Sequence, residues 1–204
     1  MLELIGVSKV FGQNLIFKDV SFQAQKGDGI FILGPNGCGK STLIRIIAGS
    51  IKPTTGSIKF DSQVKRIGYM GHFFSVYGEL SSIENLKFWS ELYSLNYKEE
   101  DLKDILDRVG LGPVCYEKVS IFSRGMIQRL NIARLMVIDP QIYLLDEPET
   151  GLDIKSKQML KDFVVSELHR GKVVIWVTHL TSDSFLKKRL IFKNNTFIFE
   201  EIKN

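Results

Sequence analysis

The sequence has few of the residues that mark a disulfide-bonded, secreted or membrane-spanning protein. It contains two cysteines, Cys38 and Cys115, in 204 residues, and their surroundings indicate neither a disulfide framework nor a zinc site, so a reducing compartment is expected. No apolar run approaches the roughly 18 residues that cross a bilayer. The first residues, MLELIGVSKVFG, lack the basic and then apolar pattern of a signal peptide. These absences predict a cytoplasmic protein that reaches a membrane only through a partner.

A large excess of charge of either sign is also missing. Lys and Arg total 27 against 23 for Asp and Glu, which gives a formal charge of +4. This mild balance allows contact with phosphates or an anionic surface, but it does not require nucleic acid as a partner, and we expect none. With 44% hydrophobic and 25% charged residues, the composition is that of a globular protein. The length suits one core with a subdomain, so we expect a single domain over residues 1–204.

Strand and helix patterns alternate along most of the chain. The strand-like segments are LELIGV, DVSFQAQ, the apolar run at 30–33, QIYLLDEP and KVVIWVTH. Residues 155–170 carry one apolar face, which predicts an amphipathic helix, and the tail predicts a hairpin that turns at Asn194-Asn195. From about residue 81 to residue 133 the pattern is mainly helical. This alternation predicts an α/β fold with a largely parallel sheet.

A glycine-rich loop stands between a predicted strand and a predicted helix. Residues 34–41, GPNGCGKS, fit the phosphate-binding pattern G-x-x-x-x-G-K-[ST] at each fixed position. The glycines let the backbone wrap closely around phosphate oxygens, with N–H groups pointing inward and the positive end of the helix behind them. Lys40 can reach the β- and γ-phosphates of a nucleotide, and the Ser41 hydroxyl can ligate Mg²⁺. The candidate nucleotide-binding residues of this loop are Gly34, Pro35, Asn36, Gly37, Cys38, Gly39, Lys40, Ser41 and Thr42.

Two acidic residues end a buried strand further along the chain. In the segment IYLLDE, Asp146 would support the Mg²⁺ and Glu147 would act on the attacking water as general base or would orient it. Together with the glycine-rich loop, this pair predicts a nucleotide-hydrolysing or phosphoryl-transferring protein. These two motifs alone leave kinases, GTPases, helicases and transport ATPases open.

A third motif narrows the choice. The segment FSRGMIQRLNIARLM at 122–136, followed by LLDEPETGLD, resembles the signature region of ABC-type ATPases. Phe11 lies where that family stacks an aromatic ring on adenine, Gly151-Leu152-Asp153 matches its dimer-interface loop, and Thr178-His179 matches its switch histidine. The resemblance implies a P-loop NTPase fold with a RecA-like parallel-sheet core, a small antiparallel β subdomain and a helical insertion. The core and β subdomain would comprise about 1–80 and 134–204, and the helical subdomain about 81–133.

The same resemblance implies how the parts act. Two copies would form a homodimer around two ATP molecules, so that Ser123 and Gly125 of one copy face the γ-phosphate bound by the other. His179 would sense that phosphate, and Glu147 would serve the water. Hydrolysis would drive a transmembrane permease subunit, which would hold the ATPase peripherally at the cytoplasmic face of the inner membrane.

The chain departs from the family pattern at a few positions. Arg124 and Met126 replace a glycine and a glutamine of the signature, and Glu149 replaces a small or neutral residue. His72 stands where the family usually has glutamine, so we expect it to sense the γ-phosphate and metal-bound water. The rings that follow are candidates either for core packing or for contact with the membrane partner: Phe73, Phe74 and Tyr77.

Within the family, Gly71-His72 and the following GELSSIENLKFW resemble the ATPase of haem export in cytochrome c maturation. Drug and polysaccharide exporters share several of these features and remain an alternative. A soluble ABC ATPase of DNA repair or translation would need a long coiled coil or a second ATPase half. A small P-loop kinase or GTPase would give no role to Ser123, Gly125 or His179.

Overall fold

The computed structural model describes residues 1–71, 75–179 and 185–201. Residue contacts divide the chain into two compact units, which are described separately below. The first unit comprises Met1–Gly71, Gln141–Pro148 and Val165–Asn204, and the second comprises His72–Pro140 and Glu149–Val164. The second unit includes more residues than the helical subdomain predicted at about 81–133.

A six-stranded sheet forms the centre of the first unit. Its strands are β3 (Gly29–Leu33), β5 (Ile67–Met70), β6 (Ile142–Asp146), β7 (Val173–Val177), β8 (Lys188–Lys193) and β9 (Thr196–Glu201). Their order in the sheet is β5-β6-β7-β3-β8-β9, with parallel pairing except between β8 and β9. Every residue of β3, β6 and β7 is buried, as their apolar sequences require of strands covered on both faces. The predicted α/β fold with a parallel sheet is therefore confirmed.

The predicted antiparallel β subdomain is a three-stranded sheet, also in the first unit. Its order is β2-β1-β4, where β1 spans Leu2–Phe11, β2 spans Asn14–Ala24 and β4 spans Thr55–Phe60. Both pairings are antiparallel.

The hairpin predicted near the end of the chain joins β8 to β9. Asn194 and Asn195 have φ values of 51° and 59°, the left-handed conformation that both central residues of a type I′ turn require. Asparagine tolerates this conformation better than most residues, so the sequence and the turn agree.

Helix α1 (Lys40–Ile47) follows the glycine-rich loop and contacts β6 and β7. Its apolar residues are buried in the core of the first unit, beside alternate residues of β3, β6 and β7. This packing fixes the helix, and with it the loop at its N-terminus, against the sheet.

The second unit is helical. Its helices are α2 (Ser82–Leu92), α3 (Glu99–Arg108), α4 (Arg124–Ile138) and the first part of α5 (Ile154–His169), with 3-10 turns at Gly112–Val114 and Val119–Ile121. α2 begins with a capping box, in which Ser81 Oγ accepts from Glu84 N and Glu84 Oε2 accepts from Ser81 N. Among the helices of the described ranges, none is long and apolar enough to cross a membrane.

An arginine is buried between α2 and α4. The Arg134 guanidinium lies 4.8 Å from the centroid of the Trp89 ring. Burial lowers the pKa of Arg134 to about 10. The flat cation stacks on the ring face and thereby ties the two helices together.

Candidate functional site

The candidate site groups of the first unit follow strands that are neighbours in the six-stranded sheet. The glycine-rich loop follows β3, Asp146 ends β6, and Thr178-His179 follow β7. Because these strands are parallel, their carboxyl ends meet at one edge of the sheet, where open α/β sheets bind ligands.

The glycine-rich loop needs its glycines for two different reasons. Gly37 and Gly39 have φ values of 77° and 101°, which side-chain-bearing residues rarely adopt. Gly39 is also crowded, since a Cβ there would lie 2.5 Å from Ile16 Cγ2. Gly34 is crowded in the same way, with Phe192 Cβ 2.8 Å from where its own Cβ would stand.

Lys40 points into the loop that precedes it. Its side chain is buried, and Nζ donates to the carbonyl oxygens of Gly34 at 2.8 Å and Pro35 at 2.9 Å. A positive charge is thus held inside a loop rich in backbone N–H groups. Such a cradle suits a phosphate group.

Asp146 and Ser41 are far apart in the sequence but adjacent in the structure. Ser41 Oγ donates to Asp146 Oδ1 at 3.0 Å, and Asp146 is only 2% exposed. A hydroxyl and a carboxylate are hard oxygen ligands of the kind Mg²⁺ prefers. Both residues predicted to serve the metal therefore lie within reach of one ion.

A tyrosine contacts this pair, and an arginine contacts the tyrosine. Tyr69 Oη donates to Asp146 Oδ2 at 3.5 Å, and Arg45 Nε donates to Tyr69 Oη at 3.4 Å. Burial raises the pKa of the Tyr69 phenol, and the hydrogen bond to Tyr69 raises the pKa of Arg45. Neither residue was predicted, because a sequence does not reveal which strand lies beside β6.

Glu147 and His179 form a close pair. His179 Nε2 lies 2.6 Å from Glu147 Oε1, and the Glu147 N–H donates to the Val177 carbonyl at 3.0 Å. Glu147 has a φ of 53°, an uncommon conformation for a residue with a side chain. The structure thus brings together the carboxylate and the imidazole that the sequence predicted for catalysis.

Phe11 ends β1 with a half-exposed ring. The Lys9 ammonium lies 4.5 Å from the centroid of that ring and donates to the Lys52 carbonyl at 2.9 Å. An exposed aromatic face can stack on a planar base such as adenine. Lys9 was not predicted, although the two-residue period of a strand places positions 9 and 11 on one face.

Ser123 and Gly125 belong to the second unit. Ser123 is exposed and caps α4, where its Oγ accepts from Met126 N at 3.2 Å. A Cβ on Gly125 would lie 3.3 Å from the Gly151 carbonyl oxygen, and the Arg124 side chain packs against Gly151. The signature segment and the predicted interface loop are therefore neighbours within this unit.

Three residues singled out in the sequence, His72, Phe73 and Phe74, lie outside the described residues.

Cys38, in the glycine-rich loop, is buried. Burial raises the pKa of its thiol, while the Lys40 charge acts to lower that pKa. A thiol held protonated in this way is a poor nucleophile.

Sequence comparison identifies relatives that cover most of the chain. A profile described as "ABC transporter" matches residues 17–150. The linearmycin resistance ATP-binding protein LnrL of Bacillus subtilis is 32% identical over 202 residues, which cover 93% of this chain and 65% of that protein. The cytochrome c biogenesis ATP-binding export protein CcmA of Rhodopseudomonas palustris is 34% identical over 180 residues, covering 85% of this chain and 89% of that one. The chain thus spans less than two thirds of LnrL but most of CcmA.

Solved structures of ABC ATP-binding proteins have the same fold as this chain. A structure described as the ATP-binding subunit of an ABC transporter superposes with a TM-score of 0.90 at 24% identity, covering 98% of this chain and 90% of that chain. A dimeric ATP-binding cassette in a post-hydrolysis state, bound to ADP and phosphate, gives 0.84 at 26% identity with full coverage of both chains. The chain therefore belongs to the ABC transporter family and has the fold of that family's ATP-binding subunits.

Proposed function

We propose that this protein is an ATPase that binds and hydrolyses ATP to power a separate membrane subunit of an ABC transporter. The observation that carries the proposal is the 2.6 Å contact between Glu147 and His179. Glu147 directly follows the buried Asp146 in the sequence. A carboxylate held by an imidazole beside a metal-binding carboxylate suits attack of water on a phosphate.

The donor set around Asp146 fits Mg²⁺. Within residues 1–71, 75–179 and 185–201 no cluster of three or more His, Cys, Asp and Glu is found. Protein ligands limited to one hydroxyl and one carboxylate suit Mg²⁺, which usually keeps phosphate oxygens and water as its other ligands. Ser41 and Asp146 would hold the ion, and its charge would neutralise the phosphate oxygens.

The remaining residues bind, orient and move protons. The glycine-rich loop and Lys40 hold the β- and γ-phosphates, and the exposed ring of Phe11 takes the adenine. Glu147 accepts a proton from the attacking water as the new bond to the γ-phosphorus forms and the bond to the β–γ bridging oxygen breaks. His179 holds the Glu147 carboxylate toward that water and senses the γ-phosphate.

The second unit supplies the groups for a partner copy. Ser123 is exposed at the N-terminus of α4, where its hydroxyl and the Gly125 N–H can meet an anion together with the positive end of the helix. Two copies would therefore close around two ATP molecules. The dimer would sit peripherally on a permease subunit at the cytoplasmic face of the inner membrane, with His72 as a further γ-phosphate sensor.

We propose export for cytochrome c biogenesis, with haem as the cargo, as the specific role. The Gly71-His72 pair and the GELSSIENLKFW segment support it, as do CcmA relatives at 31–34% identity. Drug or polysaccharide export is the second candidate, because the linearmycin resistance protein and a Nod factor export ATP-binding protein are each 32% identical.

The Glu147→Gln variant tests the hydrolytic role. Glutamine keeps the shape of the side chain but cannot accept the proton, so ATP hydrolysis should fall by at least about 100-fold. ATP should still bind, and light scattering should detect an ATP-dependent dimer that persists because its ATP is not consumed.

Glu117→Gln, the same change at an exposed site in the second unit, is the matched control and should hydrolyse ATP at the wild-type rate. A Glu147→Gln variant that also hydrolyses at that rate would remove Glu147 from catalysis. The cargo is tested separately by staining covalently bound haem in cells that lack the gene. Loss of c-type cytochromes, restored by the wild-type gene but not by Glu147→Gln, supports haem export, and unchanged cytochromes favour the second candidate.

A further inference from the structure

Tyr69 lies on the strand next to the one that carries Asp146. In the parallel pairing of β5 with β6, Tyr69 is beside Leu144. Side chains alternate between the two faces of a strand, so residues two apart share a face. Tyr69 therefore projects from the same face of the sheet as Leu144 and Asp146, toward helix α1 with Ser41 and Arg45 on it.

The hydrogen bond between Arg45 and Tyr69 has one possible direction. A guanidinium only donates, so Tyr69 Oη accepts from Arg45 Nε at 3.4 Å. Tyr69 Oη in turn donates to Asp146 Oδ2 at 3.5 Å. The other carboxylate oxygen, Oδ1, accepts from Ser41 Oγ at 3.0 Å. The two oxygens of Asp146 are thus distinguished, one toward the phenol and one toward the predicted metal-binding serine.

Gly71 makes room for this arrangement. A Cβ at Gly71 would lie 2.3 Å from Tyr69 Oη and 2.6 Å from Tyr69 Cζ. A side chain at position 71 would therefore force the phenol of Tyr69 to shift from this position. The crowding involves the hydroxyl end of the ring, the part that bonds to Asp146.

We propose that Tyr69 is a positioning residue for the Mg²⁺ site. Its hydroxyl fixes the rotation of the Asp146 carboxylate so that Oδ1 faces Ser41 and the ion. Arg45 acts through Tyr69 by orienting the phenol hydrogen toward Asp146. This role rests on the proposed function of Ser41 and Asp146 as the metal-binding pair.

The test is a Mg²⁺ titration of the binding of a fluorescent ATP analogue to the full chain. Tyr69→Phe removes the hydroxyl alone, and the Mg²⁺ concentration for half-maximal binding should rise about tenfold or more, as for the loss of an outer partner of a metal ligand. Binding of the analogue in EDTA should be unchanged, since Tyr69 acts only through the metal-binding carboxylate.

Tyr143→Phe is the matched control. Tyr143 is a buried tyrosine on the adjacent strand whose Oη donates to a carboxylate oxygen of Glu167 at 2.9 Å. Removal of its hydroxyl costs a shorter and more buried hydrogen bond than that of Tyr69, yet it should leave the Mg²⁺ dependence at the wild-type value. Thermal unfolding of each variant separates loss of fold from loss of metal binding.

Two further variants keep the proposal open to refutation if Tyr69→Phe does not fold. Arg45→Met retains the tyrosine but removes the donor that orients it, and Gly71→Ala displaces the hydroxyl. Both should raise the Mg²⁺ requirement. Wild-type Mg²⁺ dependence in the folded variants would overturn the role of Tyr69. If the wild-type protein itself gains no affinity for the analogue from Mg²⁺, the metal site of the proposed function fails instead.

Discussion

Glu147 is constrained in both its backbone and its side chain. A φ of 53° costs roughly 1 kcal/mol or more in a residue with a side chain. The N–H bond to the Val177 carbonyl holds this conformation, which turns the chain directly after β6 and delivers the carboxylate to His179. The strain is retained at the point where the proposed proton acceptor must be placed.

His179→Ala tests the partner of that carboxylate. Hydrolysis should fall by about 100-fold or more, because Glu147 loses the imidazole that orients it. ATP binding should stay within about twofold of wild type, since the proposed phosphate contacts come from backbone N–H groups and Lys40 and not from His179. Steady-state kinetics and equilibrium binding of an ATP analogue provide the two measurements.

His169→Ala is the control, because His169 is an exposed histidine at the end of α5. It should change neither quantity. Loss of ATP binding in His179→Ala would contradict the catalytic assignment and indicate that His179 supports the fold.

At the residue scale the sequence predicted groups that belong to motifs and missed those set by strand order. Ser41 and Asp146 were both expected at the Mg²⁺ ion, Glu147 was expected at the attacking water, and His179 was expected at the γ-phosphate. Tyr69 was not, because its contact with Asp146 depends on β5 lying beside β6. Nothing in the local sequence of a strand names its neighbour.

At the scale of the element, the position of the glycine-rich loop is fixed by the packing of α1. Gly39 is the N-cap residue of α1, and the helix is fixed by the core, so the loop cannot shift to accept a side chain. Close packing of this kind turns a single extra methyl group into a displacement of the neighbouring phosphate-binding groups.

Gly39→Ala and Gly49→Ala separate backbone strain from steric collision. Both glycines have positive φ, but only at Gly39 would a Cβ meet another atom, Ile16 Cγ2, within 4 Å. Gly49→Ala should cost about 1 kcal/mol of unfolding free energy and leave ATP binding intact. Gly39→Ala should cost more and weaken ATP binding at least about tenfold, as measured by urea unfolding and analogue binding. Equal ATP affinity in the two variants would show that the collision does not reach the loop.

Elements with strong periodicity were predicted well. The amphipathic helix expected at 155–170 is α5, Ile154–His169, and the Asn194-Asn195 hairpin is present. β4 was not predicted, because five of its six residues are exposed and no apolar alternation marks it. β5 has only four residues, too few to give a pattern of period two above chance.

At the scale of the whole molecule, the proposed homodimer makes Ser123 a contact for the partner's ATP. Aspartate and asparagine cap helices about as well as serine, so either change at Ser123 should leave α4 intact. They differ in charge, and a negative charge facing a γ-phosphate is repelled.

In the Glu147→Gln background, Ser123→Asp should therefore abolish the ATP-dependent dimer, whereas Ser123→Asn should retain most of it. Light scattering with and without ATP measures the dimer, and analogue binding confirms that the monomer still takes nucleotide. Equal dimer formation by the aspartate and asparagine variants would place Ser123 away from the γ-phosphate.

The position of β3 has a consequence for synthesis of the chain. β3 lies between two strands that are made much later, with Gly29 beside Val174 and Ile30 beside Lys188. Pairings between such distant residues form slowly, and the growing chain must wait for them. The glycine-rich loop leaves the ribosome early but lacks its neighbouring strand until β7 has emerged. A partly synthesised chain therefore lacks the assembled sheet edge of the proposed ATP site, and β3 lacks both of its partner strands until β7 and β8 have emerged.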